Sequence, residues 1–138
     1  MQLITEKEFQ ATVIDLARTY GWIVGFTYDP RKSEPGEPDL RMVHPVQRRV
    51  IFAELKTTKG RLTKGRMNKA GSRWLPGQDE WGDALESCPG VEYYLWRPDG
   101  LNGEIERILR YVIEWPHDDE RPRPGTAPRP GVGTPGQS

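Results

Sequence analysis

The segment VIFAELK, residues 50–56, constrains the fold more than any other part of the sequence. Apolar side chains occupy both alternating sets of positions along it, so neither side of the strand is suited to water. A strand of this kind belongs in the middle of a sheet that is covered on both faces. Its last positions nevertheless carry two charged residues, Glu54 and Lys56. A central strand that ends in charges is therefore the feature to be explained.

The segments around this strand predict an α/β fold. Thr5 and Glu8 form the pattern of a capping box at the start of a first helix, and Gly21 ends that helix. Asn102 is a candidate cap for a last helix. The predicted elements are a helix over 6–20, strands over 22–28, 40–43 and 50–56, a helix over 77–88, a strand over 91–96 and a final helix over 103–112. Residues 44–49 form the predicted turn between the second and third strands. The order is α-β-β-β-α-β-α, a central mixed sheet flanked by helices.

Length and composition predict one folded domain with a tail. The chain has 138 residues, which suits a single hydrophobic core. Apolar residues are concentrated up to Trp115, so the predicted domain covers residues 1–115. Residues 116–138 are rich in Pro and Gly and have almost nothing to bury, which predicts a disordered tail. A polyproline II ligand for another protein is the alternative interpretation of the tail.

Cysteine content and hydropathy indicate a compartment. Cys88 is the single cysteine, so an internal disulfide framework is excluded and a reducing environment fits. The N-terminal residues lack a signal-peptide pattern, and no run approaches the ~18 apolar residues of a membrane span. We expect a cytoplasmic protein with no membrane partner, either bacterial or phage-encoded and acting in the host cytoplasm.

Three charged residues converge at one end of the predicted sheet. Glu54 and Lys56 are two residues apart on a strand, so their side chains point to the same face. If Val43 pairs with Val50, Asp39 falls opposite Glu54. A cross-strand salt bridge to Lys56 is the structural alternative. An Asp after Pro at the start of one strand, opposite an E-x-K at the end of a doubly apolar strand, favours a functional site instead.

Two carboxylates near apolar neighbours predict a metal ion. Burying them is costly unless a cation joins them or chemistry requires them. Mg²⁺ prefers oxygen ligands and is typically held by one or two carboxylates together with substrate phosphate. We expect Asp39, Glu54 and the backbone carbonyl of Leu55 to bind Mg²⁺ or Mn²⁺. Lys56 would orient or activate a water molecule and stabilise charge on a phosphate.

These residues also resemble a known family. EPDL followed by FAELK, after a helix and before GQDEW, is similar to the PD-(D/E)xK nuclease superfamily and to its VRR-NUC (virus-type replication-repair nuclease) branch. The resemblance covers residues 4–115. It implies a restriction-endonuclease-like fold and a metal-dependent nuclease with Asp39, Glu54 and Lys56 as its catalytic core. It also implies a helix-borne glutamate and a helix-borne glutamine beside that core. The segment KGRMNKAGSRWLP departs from the family pattern as an insertion.

Two helical residues are candidates for these supporting roles. Glu6 lies at helical spacing from Phe9, on the stripe that meets the sheet, whereas Glu8 lies on the opposite face. We choose Glu6 as the catalytic glutamate, and a first-turn residue that merely complements the helix dipole is the alternative. Gln78 opens the second helix and would hold a water or phosphate oxygen near Lys56. A plain helix N-terminal residue is the alternative for Gln78.

The local distribution of charge predicts a nucleic-acid contact. Twenty basic and twenty acidic residues cancel, which argues against a purely electrostatic DNA binder. Between residues 55 and 78, however, there are seven cations and no acid. The candidate phosphate contacts are Lys59, Arg61, Lys64, Arg66, Lys69 and Arg73, and Trp74 is a candidate to stack on an unpaired base. The alternative is a solvated flexible loop with Trp74 tucked against the core.

Together these features predict a metal-dependent DNA endonuclease that is structure-selective on branched DNA, such as four-way junctions, in replication, recombination or repair. One alternative is a restriction-like, sequence-specific endonuclease, although the chain has little room for base-reading elements beyond the basic loop. Another is a non-catalytic nucleic-acid-binding module on the same fold. One site per chain and no appended DNA-binding domain predict a homodimer, which would present two sites symmetrically.

Overall fold

A four-stranded mixed sheet with helices on both faces forms the centre of the protein. The computed structural model describes residues 4–27 and 29–110. The last five residues of the predicted domain, and the predicted tail, lie outside these ranges. The helices are α1 (Glu6–Thr19), α2 (Gln78–Glu86) and α3 (Glu104–Arg110), and the strands are β1 (Ile23–Phe26), β2 (Leu40–His44), β3 (Arg49–Leu55), β4 (Arg66–Met67), β5 (Trp74–Leu75) and β6 (Val91–Trp96). Short 3-10 helices span Pro30–Lys32 and Pro98–Asn102.

The sheet order is β1-β2-β3-β6, with β3 parallel to β6 and the other pairs antiparallel. The prediction that β3 lies inside the sheet is confirmed. The predicted register is also confirmed, because Val43 pairs with Val50 and Leu40 with Ala53. The strands are longer at the turn than predicted, since His44 and Arg49 form the last pair of the β2–β3 ladder.

Helices cover the two faces of the sheet unequally. Apolar residues of α1 and α3 pack with one set of strand side chains in a single core, which includes Phe9, Val13, Ala17, Leu40, Met42, Ile51, Ala53, Leu55, Ile105 and Leu109. Helix α2 packs on β6, where Gly82 meets the ring of Tyr93. Tyr93 pairs with Phe52, which alternates with the core-facing Ile51, so α2 covers the opposite face. Glu54 shares that face with Phe52.

Helix α1 begins and ends as its sequence predicts. The Glu8 N–H donates to the Thr5 hydroxyl at 3.1 Å, and the Thr5 N–H donates to the Glu8 carboxylate at 3.3 Å, which completes the capping box. Gly21 follows the helix with a φ of +91°, a backbone conformation that favours glycine. No helix within the described ranges is both long enough and apolar enough to span a membrane.

A second, two-stranded sheet was not predicted. Strands β4 and β5 pair antiparallel within the segment predicted to be a basic loop. The Asn68 side chain accepts the N–H groups of Ser72 and Arg73, at 2.9 and 3.3 Å, and Gly71 has a φ of +70°. These contacts close a short connection of the kind that joins hairpin strands. The strands have two residues each, too few for their alternation to be visible in the sequence.

The end of β3 remote from Asp39 carries a buried ion pair. Both the Nε and the Nη2 of Arg49 donate to the Glu92 carboxylate, each at 2.7 Å. The Nη1 of Arg49 donates to the Ile108 carbonyl and to Gln47, each at 2.9 Å. The Tyr94 hydroxyl donates to Glu92 at 2.8 Å. Every formal charge here has its partners within the protein.

Candidate active site

Glu54 lies at the other end of β3 and is 1% exposed. The Gln78 side-chain amide, at the start of α2, donates to its Oε1 at 2.8 Å. Its Oε2 is buried and has no hydrogen-bond partner among the described residues. An orphaned carboxyl oxygen in a protein interior is uncommon and indicates a missing proton or cation.

Burial, followed by the charge of Asp39, raises the pKa of Glu54 to about 9. The Lys56 charge acts in the opposite direction, and the Glu6 charge adds to the rise. Because burial disfavours the charged form, Glu54 keeps a proton at neutral pH when nothing else balances its charge. The other three charged residues that the sequence predicted for the site, Glu6, Asp39 and Lys56, therefore lie close enough to act electrostatically on Glu54.

Asp39 is tied to β3 next to Glu54. It follows the buried Pro38 and directly precedes β2. Its Oδ2 accepts the backbone N–H of Leu55 at 2.8 Å. This contact extends the β2–β3 register by one position and brings the two carboxyls to the same end and the same face of the sheet. Leu55 contributes its N–H to this contact, and its carbonyl stays a predicted metal ligand.

Lys56 leaves the sheet one residue after β3. Its backbone N–H donates to the Trp96 carbonyl at 3.0 Å, which continues the parallel ladder, and its side chain is half-buried. The turn that follows is held by Arg97, whose Nη1 donates to the carbonyls of Thr57 and Gly60, each at 2.7 Å. The segment beyond the sheet is therefore fixed close to Lys56.

Gln78 links Glu54 to the basic segment. Its Oε1 accepts the Thr63 N–H at 3.0 Å, while its own backbone N–H donates to the Thr63 hydroxyl at 3.2 Å. Together with the bond to Glu54, both ends of its amide are engaged. Gln78 is thus more than a plain helix N-terminal residue, the alternative that the sequence allowed.

Two glycines allow the surrounding loops to approach α2 closely. A Cβ on Gly77 would lie 2.4 Å from the Lys64 carbonyl carbon, and one on Gly36 would lie 2.5 Å from the Pro76 carbonyl oxygen. Gly36 also has a φ of +83°, which favours glycine. The loop before Asp39 and the loop before β4 therefore both pack against the N-terminus of α2, which begins at Gln78.

A cleft of about 910 Å³ opens beside these residues. Glu6, Asp39 and Gln78 line it, together with other residues of α1 and of the loop before β2. Glu8 does not line the cleft, and its carboxylate accepts the Thr5 N–H in the capping box of α1. Of the two glutamates, the structure therefore brings Glu6 to the cleft.

The predicted nucleic-acid contacts are exposed side chains. Lys59, Arg61, Lys64, Arg66, Lys69 and Arg73 are all exposed. Lys64 lies 3.3 Å from Asp79 and Arg73 lies 3.6 Å from Glu34. Trp74 is 51% exposed, so the alternative in which it is tucked against the core is wrong. The segment also contains the β4–β5 hairpin, which was not predicted.

Sequence reasoning missed two residues beside the site. Thr63 holds Gln78, but an isolated Thr in a loop gives no signal of such a role. The Tyr93 hydroxyl is buried and has no hydrogen-bond partner among the described residues. Burial, and then the Glu54 charge, raise its pKa to about 12. A glycine within α2, Gly82, could have indicated the close approach of Tyr93.

The donor set fits a small divalent cation. No cluster of three or more His, Cys, Asp or Glu side chains with metal-binding geometry occurs in the part of the chain that the structure describes. Asp39 and Glu54 offer two carboxyl groups, and one Glu54 oxygen has no other partner there. Two carboxylates are enough for Mg²⁺, which keeps waters or takes substrate oxygens as its remaining ligands.

Comparisons of the chain with protein-family models, with curated proteins and with solved structures gave no match.

Proposed function

We propose that the protein is a Mg²⁺- or Mn²⁺-dependent DNA endonuclease with a PD-(D/E)xK, restriction-endonuclease-like core. The observation that carries the proposal is the half-satisfied Glu54 carboxyl, buried next to Asp39 at the end of the central strand. Titratable groups with strongly perturbed pKa values are typical of functional sites, and Asp39, which lies next to Glu54, lines the cleft. The resemblance of EPDL and FAELK to VRR-NUC nucleases supports the same chemistry.

Asp39, Glu54 and the Leu55 carbonyl would hold the metal ion. A bound Mg²⁺ or Mn²⁺ supplies Lewis-acid stabilisation of phosphate charge and lowers the pKa of a coordinated water. The Leu55 N–H keeps Asp39 in position through its 2.8 Å bond. The Gln78 amide keeps Glu54 Oε1 in position and leaves Oε2 for the cation.

Three further side chains have roles of their own. Lys56 adds a positive charge next to the carboxyl pair, where it stabilises negative charge on the phosphate and orients the attacking water. Glu6 borders the cleft and accepts a proton from a water molecule or holds that water. Gln78 positions Glu54 through one N–H of its amide, and the second N–H of that group would hold a water or phosphate oxygen in the cleft.

The exposed cations between residues 59 and 73 bind DNA phosphates in this proposal. Their side chains form a basic surface that is joined to the site through the contact of Thr63 with Gln78. Phosphate contacts supply affinity and orientation without reading sequence. A structure-selective enzyme therefore fits this surface better than a restriction-like one.

The preferred substrate is branched DNA, such as a four-way junction, and the enzyme is a homodimer. One chain offers one Asp39, Glu54 and Lys56 set, so paired incisions need two chains. A two-fold dimer presents two such sites in fixed geometry. The protein would act in replication, recombination or repair, in the cytoplasm of a bacterium or of a phage-infected host.

Digestion of a four-way junction and of a linear duplex with the same arm sequence tests the proposal. We expect cleavage with Mg²⁺ or Mn²⁺, none with EDTA, and preference for the junction. Glu54→Gln, Asp39→Asn and Lys56→Ala should each reduce turnover by about 100-fold or more while DNA binding persists. Sedimentation at micromolar concentration should show a dimer.

Two glutamates on one helix provide a matched control. Glu6→Gln should lower turnover, whereas Glu8→Gln should leave it nearly unchanged and cost only capping energy. Unchanged turnover of Glu54→Gln at saturating Mg²⁺ would contradict the site. DNA binding without cleavage under any metal condition would favour the non-catalytic module.

A further inference from the structure

The β4–β5 hairpin presents an unusual apolar pair to solvent. Met67 is 47% exposed and Trp74 is 51% exposed. The two residues are direct cross-strand partners, so their side chains share one face of the hairpin. Tryptophan is normally buried over most of its surface, so an indole that is half exposed beside an exposed Met requires an explanation.

The Trp74 ring is held in place although it lies outside the core. Its indole N–H donates to the Glu80 carboxylate, at 3.0 Å to the nearer oxygen. The ring also packs on the backbone of Gly65, where an added Cβ would lie 2.4 Å from Trp74 Cζ2. A side chain that is ordered before binding loses little entropy when it binds. The exposed face of the indole is therefore preorganised for contact.

The surroundings of this pair are basic. Arg66, Lys69 and Arg73 belong to the hairpin and are all exposed. Among the described residues, Arg73 forms one ion pair, with Glu34 at 3.6 Å, and both side chains of that pair are largely exposed. Surface ion pairs of this kind contribute little, so the cation is available to a phosphate. Aromatic surface with basic neighbours is the composition of proteins that bind unpaired nucleic acid.

We infer that the Met67–Trp74 face stacks on an unpaired nucleobase of the DNA while Arg66, Lys69 and Arg73 contact the neighbouring phosphates. The inference rests on the proposed nuclease function and adds a determinant of substrate choice. The hairpin is joined to Gln78 through Thr63, which places the base-binding face at a set position relative to Glu54. DNA with unpaired bases next to the cutting site is then selected over continuous duplex.

Fluorescence anisotropy of the full chain in EDTA tests this inference without cleavage. Two labelled DNAs are compared, a continuous duplex and the same duplex interrupted by three unpaired nucleotides. We expect Trp74→Ala to raise the Kd for the interrupted DNA by about tenfold and the Kd for continuous duplex by less than about twofold. A 2-aminopurine at an unpaired position should be quenched by the wild-type protein and not by Trp74→Ala.

Two further variants separate stacking from folding and from charge. Trp74→Phe keeps an aromatic face but loses the bond to Glu80, so binding to interrupted DNA should stay within about threefold of wild type. Val46→Ala removes a 76% exposed aliphatic side chain from the β2–β3 turn and should change neither Kd. Circular dichroism checks that each variant is folded.

Equal weakening on both DNAs would overturn the inference, as would an unchanged Kd for Trp74→Ala. A loss for Trp74→Phe as large as that for Trp74→Ala would also overturn it, because the Glu80 bond would then be the cause. The assay contains no divalent cation, so its result is independent of whether the protein cleaves DNA. Failure of the nuclease assay and failure of this one are therefore distinguishable.

Discussion

The two buried carboxyl groups of the central sheet, Glu92 and Glu54, lie at opposite ends of the β3–β6 pair. They are 2% and 1% exposed, so burial alone does not distinguish them. Arg49 donates to both oxygens of Glu92, and Tyr94 adds a third hydrogen bond. Glu54 receives one bond, from Gln78, and its other oxygen has no partner among the described residues.

The two ends of the β3–β6 pair differ in how the cost of burying a carboxyl group is offset. At the Glu92 end, opposite charges and hydrogen bonds within the chain offset the cost of removing a carboxylate from water. At the Glu54 end the nearest strong influence is another acid, Asp39, which increases that cost. Folding alone does not explain such an arrangement, which is why we propose that a cation binds there.

Breaking the ion pair between Arg49 and Glu92 should change the free energy of unfolding the most. Arg49→Met should destabilise the protein by about 3–5 kcal/mol, because Glu92 is left as an uncompensated buried charge. Urea unfolding followed by circular dichroism measures the change. The double variant Arg49→Met with Glu92→Leu should recover most of the loss. A single variant as stable as the wild type would contradict the structural role given to this pair.

Metal binding should stabilise the other end. At a Mg²⁺ concentration of about 100 times Kd, linkage predicts a gain of about 2.7 kcal/mol in the free energy of unfolding. Thermal unfolding with increasing Mg²⁺ measures the gain, and calcium tests whether the site accepts a larger ion. Glu54→Gln should abolish the gain. A similar shift in Glu54→Gln would mean that the ion binds elsewhere.

The dependence of stability on pH should also distinguish the Glu54 end of the sheet from the Glu92 end. The folded, metal-free protein holds the Glu54 proton up to a pKa of about 9, while the unfolded chain loses it near the ordinary value of 4.5. The folded state thus binds more protons between these values, so this contribution to stability is present at low pH and is lost as pH rises. Relative to wild type, Glu54→Gln should gain stability from pH 5 to pH 8.

Thermal unfolding in EDTA at both pH values measures this difference. We expect the Tm of Glu54→Gln minus that of wild type to be at least about 5 °C larger at pH 8 than at pH 5, since each pH unit between the two pKa values changes the difference in stability by up to about 1.4 kcal/mol, and about 1 kcal/mol corresponds to roughly 4–8 °C for a domain of this size. Titrating groups that do not interact with Glu54 are common to both proteins and cancel. A difference that is constant with pH would mean that Glu54 ionises normally.

The smallest expected effect concerns charges that are not buried. Replacing Lys59, Arg61, Lys64, Arg66 and Lys69 by Ser should leave the fold unchanged, because all five side chains are exposed. Each lost phosphate contact should lower the log–log salt slope of duplex binding by about 0.9. Anisotropy titrations at several salt concentrations give the slope. An unaltered slope would mean that these side chains are exposed to water and do not contact DNA phosphates.

The sequence predicted those parts of the fold and site that local patterns encode. Helical spacing and the Thr5–Glu8 pair predicted α1. A hairpin closed around residues 44–49, with Val43 paired to Val50, predicted the β2–β3 register that brings Asp39 to Glu54. The preference for Glu6 over Glu8 followed from the helical stripe, and the structure places Glu6 on the cleft. Each of these needs only neighbouring residues or one hairpin pairing.

Long-range contacts could not be predicted in this way. Arg49 belonged to a predicted turn, yet its partner Glu92 lies 43 residues away on a parallel strand. The β4–β5 strands are too short to display a period, and their hairpin depends on the side chain of Asn68. Thr63 meets Gln78 where Gly77 lets the loop before β4 approach α2, which the spacing of residues does not reveal.

The hydrogen bonds from Thr63 through Gln78 to Glu54 have a fixed polarity. A backbone N–H can only donate, so the Gln78 carbonyl oxygen must face Thr63 and its NH₂ group must face the carboxyl. The Gln78 amide dipole is therefore oriented with its positive NH₂ end toward Glu54 Oε1. Reversing that amide would break both bonds at once. The two oxygens of one carboxyl are therefore made chemically unequal before any ion or substrate arrives.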